Sequence, residues 1–149
     1  MWYKDGGVIS IGCQGGGPVD NGIGTIKVDL WRLLKKHCTG THCPAIDHFA
    51  LALRVGGEFV DWSPEKIHKV RRSHKERYIG CDIDIPVAVW QPQTTNQLKD
   101  YLAVKVREAI EALVKRLIKD KEIVDSEKLY SEIDHAITIF KANHYEDID

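Results

Sequence analysis

Three carboxylates, Asp61, Asp82 and Asp84, come nearest to a chemical constellation in this chain. Asp82 and Asp84 stand two apart in YIGCDIDIP. Strand alternation would place them with Tyr78 and Gly80, opposite Ile79, Cys81, Ile83 and Ile85. Asp61, in EFVDW, would join them from a neighbouring strand. Like charges on adjacent strands repel, so their clustering calls for a reason. The group could hold Mg²⁺ or present an anionic surface to a basic partner. The plainer alternative is a solvated face partly neutralised by Arg54.

A second cluster, HCTGTHCPAIDH, gathers His37, Cys38, His42, Cys43, Asp47 and His48. Thiolate and imidazole are zinc ligands, but the two short-spaced pairs of a closed tetrahedral site are missing, so no metal is expected. A third run holds Lys66, Lys69, Arg71, Arg72, Lys75 and Arg77 with His68 and His74. It could grip phosphates, yet no aromatic residue interleaves before Tyr78. The glycine-rich start lacks both GK[ST] and GxGxxG spacing, which excludes the usual phosphate loops. Ser10, Ser63, Ser73, Ser126 and Ser131 read as loop, cap or exposed-helix residues, and no nucleophile elbow or HExxH occurs.

The elements that must position these residues follow from periodicity. Residues 1–24 contain eight of the twelve glycines and read as a flexible arm, with room for a brief strand at Val8–Ile11. Residues 25–149 read as one α+β domain. DLWRLLKKH carries Leu30, Leu33, Leu34 and His37 at helical spacing, with Asp29 as its expected N-cap. HFALALRV and EFVDW flank Gly56-Gly57, the pattern of a tight hairpin that would pair Leu53 with Val60. SPEKIHKVRRSHKER predicts one or two helical turns and then a basic loop. YIGCDIDIP supplies a third strand. Thr94 and Gln97 form a capping box before a long helix, and a last helix starts near Ser126. The expected architecture is a three-stranded antiparallel sheet, one face covered by an N-terminal helix and two C-terminal helices.

Composition narrows the function. The chain has 149 residues, 43% of them hydrophobic and 29% charged, with a net charge of −1, which argues against a dedicated nucleic-acid binder. The average hides a split. Residues 62–80 hold six Lys/Arg against two Glu, and residues 120–149 hold nine acids against three lysines. No run of about 18 apolar residues would span a membrane, and MWYKDGG has no secretory pattern, so a cytoplasmic location is expected. The four cysteines should stay reduced there.

VDLWRLLKKH, HFALALRVGGEFVDWSPEK and RRSHKERYIGCDIDIPVAVW, followed by a long charged helix, resemble a small immunity-protein family of bacterial polymorphic toxin systems. The resemblance covers residues 25–141. It implies a cytoplasmic, non-enzymatic protein without a cofactor, which binds and neutralises a cognate toxin domain. On that reading Asp61, Tyr78, Asp82 and Asp84 are the partner-binding residues. The alternatives are a small metal-dependent hydrolase or nuclease using the carboxylates, or a regulatory nucleic-acid binder using the 66–77 basic loop.

Overall fold

The computed structural model describes residues 9–15, 23–38, 42–55, 66–85 and 94–145. Among these, the order is β1 (Ile9–Gly15), α1 (Ile23–His37), β2 (His48–Val55), β3 (Lys66–Ser73), β4 (Tyr78–Ile85), α2 (Thr95–Lys119) and α3 (Ser126–Ala142). The class is α+β, as the periodicities predict.

The sheet differs from the expected one. It has four strands in the order β1-β2-β4-β3. β1 runs parallel to β2, with Ile9 opposite Phe49 and Ile11 opposite Leu51. β2 runs parallel to β4, with Leu53 opposite Ile83, and only β3 and β4 are antiparallel. The chain leaves β2, re-enters at the far edge as β3, and β4 fills the gap. Of the consecutive strands only β2 and β3 are not neighbours, and the β1–β2 pair is parallel, so the expected hairpin order fails at β2 and β3. The expected Gly56-Gly57 turn and the Leu53–Val60 pair lie outside the described residues.

β3 occupies the segment expected to be helical turns and a loop. Ile67 and Val70, three apart, mimic helical spacing. Pairing instead runs His68 to Asp82 and Arg71 to Gly80, with a register shift between them. That irregularity adds a residue to one strand and changes which positions share a face. Ile9–Gly15 falls within the segment expected to be an arm, yet it forms an edge strand with Ile9 and Ile11 fully buried. Two isoleucines held by a parallel ladder are enough to dock a glycine-rich stretch. α1 starts at Ile23, so Asp29 is not its cap. Its carboxylate instead accepts a hydrogen bond from the Tyr145 hydroxyl at 2.7 Å.

Among the described residues of β1, β2 and β4, one sheet face is apolar. Phe49, Leu51, Leu53, Ile79, Cys81, Ile83 and Ile85 are all buried with Ile9 and Ile11. α2 packs against β2, β3 and β4, α1 packs against β1, and α3 packs on α1 and α2. Thr94 and Gln97 make the expected capping box, and α2 buries Leu98, Leu102, Val106, Ile110, Leu113 and Leu117 along one stripe. Lys99 is buried beside them. Its Nζ donates to the carbonyls of Lys141 and Asn143 at 2.9 and 2.6 Å, satisfying the C-terminal end of α3.

Candidate functional site

The face of the sheet turned away from the helices carries the polar residues. Strand alternation brings Ser10 and Gly12 of β1, His48, Ala50, Ala52 and Arg54 of β2, and Tyr78, Gly80 and Asp82 of β4 to that side. Of the predicted binding residues, Tyr78 and Asp82 share the face, with Tyr78 half-buried and Asp82 buried. Asp84 follows two positions later, opposite Arg54 and Lys66 in register, and only its backbone is described. Asp61 lies outside the described residues.

Asp82 is not a free carboxylate. Oδ2 accepts from Arg54 Nη1 at 2.9 Å and Oδ1 accepts from Arg71 Nη2 at 2.8 Å. Burial pushes its carboxyl up, but the hydrogen bonds from Arg71 and Arg54 outweigh that and hold it below the usual carboxylate range. With both oxygens engaged by guanidinium groups, Asp82 is poorly placed to ligate Mg²⁺. Its chemical effect is to fix two arginines.

Two further arginines of the basic run, Arg72 and Arg77, are paired in the same way. Arg72 is almost fully buried and turns to the helix side, where Nη1 meets Asp120 at 2.9 Å and Nη2 meets Glu122 at 3.3 Å. The bond from Arg72 holds the Asp120 carboxyl low. Arg77 adopts φ 57°, a left-handed conformation in the β3–β4 turn. Its Nε and Nη2 donate to Asp47 at 2.9 and 3.2 Å, and Nη2 also reaches the Pro44 carbonyl. Arg72 and Arg77 are thus held by carboxylates, while half-exposed Arg71 gives one Nη2 bond to Asp82 and keeps other donors.

The Cys/His cluster disperses. His48 is buried, with Nε2 2.7 Å from Ser10 Oγ across the β1–β2 pair. His42 turns the other way, and its Nε2 lies 3.0 Å from Glu132 on α3. His37 packs edge-on against His135, with ring centroids 4.7 Å apart. Cys38 is pushed up to about 12 by burial and then by the nearby Glu132 charge, so its thiol is inert near neutral pH. Among the described residues, no group of three or more His, Cys, Asp or Glu is placed to hold a metal ion.

A cavity of about 260 Å³ opens on this side. Small residues Ser10, Gly12, Ala50 and Ala52 line its floor, Lys27 and Trp31 reach it from α1, and Arg71 reaches it from β3. Sequence reasoning missed it because Lys27, Ala52 and Arg71 come from three separate elements. Ser10, read as a loop residue, is buried in β1 beside it. The one available signal was the run of small residues at alternate positions on two strands.

A family model described as Immunity protein 44 matches residues 9–139, from the first residue of β1 almost to the end of α3. The chain belongs to that family. The match takes in β1, as the fold does. No curated protein and no solved structure matches the chain. No helix among the described residues is long and apolar enough to cross a membrane.

Proposed function

We propose that this Immunity protein 44 chain protects a bacterial cell by binding and neutralising a cognate toxin domain of a polymorphic toxin system in the cytoplasm, without catalysis or cofactor. The observation that carries the reading is the family match over residues 9–139. The proposed contact surface is the sheet face opposite the helices, which carries Tyr78 and Asp82, with Asp84 and Asp61 retained from the sequence. Tyr78 offers an aromatic anchor of the kind that dominates interface energetics. Asp82 acts indirectly, by orienting Arg54 and Arg71. A rigid sheet presenting a pre-oriented Arg71 suits recognition, because little side-chain entropy is lost on docking.

The test is survival. The toxin domain encoded by the adjacent gene is induced with and without this chain. Growth restored by the chain supports the reading, and killing unaffected by it contradicts the reading.

A further inference from the structure

We infer that the cavity bounded by Lys27, Trp31, Ala52 and Arg71 receives an aspartate or glutamate side chain of the toxin domain. The inference rests on the toxin-binding reading and specifies the partner's chemistry at one point of contact. The residues lining the cavity include two cations and no carboxylate. Lys27 makes no ion pair among the described residues. Arg71 is half-exposed, and its Nη2 is held by Asp82 at 2.8 Å. That bond fixes the guanidinium while leaving other N–H donors for a ligand. Small residues at Gly12, Ala50 and Ala52 let a side chain approach the strands, and Trp31 supplies an apolar wall.

Volume decides between occupants. At about 260 Å³ the cavity falls below the roughly 300–1,000 Å³ of small-molecule sites, so a single acidic side chain fits better than a nucleotide. Charge complementarity then selects a carboxylate. This reverses the sequence-based expectation for this part of the face, which was an acidic surface meeting a basic toxin.

The experiment measures affinity between the full chain and a catalytically inactive form of the adjacent-gene toxin domain, at low and high salt. Three variants are compared after thermal melts confirm folding: Lys27→Glu, which breaks no ion pair among the described residues; Lys27→Gln with Arg71→Gln; and Ala52→Phe, which fills the cavity and keeps both charges. Each is expected to weaken binding by about 30-fold or more, and the two charge variants should also flatten the salt dependence. If wild type binds and all three variants bind equally well, the cavity is not the contact, although toxin binding stands. If wild type does not bind, the toxin-binding reading itself fails and takes this inference with it. If inorganic phosphate binds wild type at submillimolar concentration and not the Lys27/Arg71 double variant, the cavity is a small-anion site and the inference is overturned.

Discussion

Arg71 reaches Asp82 diagonally across the β3–β4 pair, its Nη2 2.8 Å from Oδ1, although its own register partner is Gly80. The register shift between His68 and Arg71 sets this offset, and Gly80 leaves no side chain in the way. A bulge, a glycine and a buried carboxylate together aim one arginine over the sheet.

Replacing Asp82 with Asn should therefore loosen both arginines. The expected cost at neutral pH is about 2–4 kcal/mol, the lower side of the range for broken buried pairs because Arg71 is half-exposed. Asp82 titrates below its ordinary value when folded, so its contribution is present above about pH 4 and fades as pH falls through the lowered value. Urea midpoints of wild type and Asp82→Asn should differ at pH 7 and converge in acid. A difference that stays constant to low pH would contradict the ion-pair account.

Gly80 probes how closely β4 and β2 approach. A Cβ there would lie 2.6 Å from the Ala50 carbonyl oxygen, which is backbone and cannot swing away. Gly80→Ala should destabilise by about 1–3 kcal/mol, as overpacking does. Chemical denaturation reads this directly, and an unchanged midpoint would mean the strands can part freely.

Leu53 tests the core. It is fully buried between Cys13 and Ile83 in register, so Leu53→Ala should cost about 2–5 kcal/mol. A loss under about 1 kcal/mol would place Leu53 outside the packed layer.

These residues also mark what the sequence made legible. The alternation through Leu51, Leu53, Cys81 and Ile83 identified the buried face, because period two survives whatever the strand order. The Thr94–Gln97 box and the start at Ser126 were equally local, and both appear as expected. Strand order was not local. Nothing within HFALALRV says that its neighbours are β1 and β4, since that is decided by which apolar strips fit together. The binding-residue expectation met the same limit. The plainer alternative had named Arg54 as a neutralising partner, and it does bind Asp82, but Arg71, 11 residues away across a register shift, was not foreseen.

Lys99 offers a test of how α2 holds α3. Lys99→Met keeps the aliphatic stem but orphans the carbonyls of Lys141 and Asn143. The expected loss is about 1–3 kcal/mol, with faster amide exchange confined to the last turn of α3. Uniform exchange along the helix would show that the ammonium group does not cap it.

Direct inhibition in vitro tests the central claim most closely. The toxin domain that the proposal expects the adjacent gene to encode is purified and assayed on its own substrate while this chain is titrated in. Toxin activity should fall to background at one chain per toxin domain, with a stable complex on size exclusion. Undiminished toxin activity with the chain in excess, and no complex, would contradict neutralisation by binding.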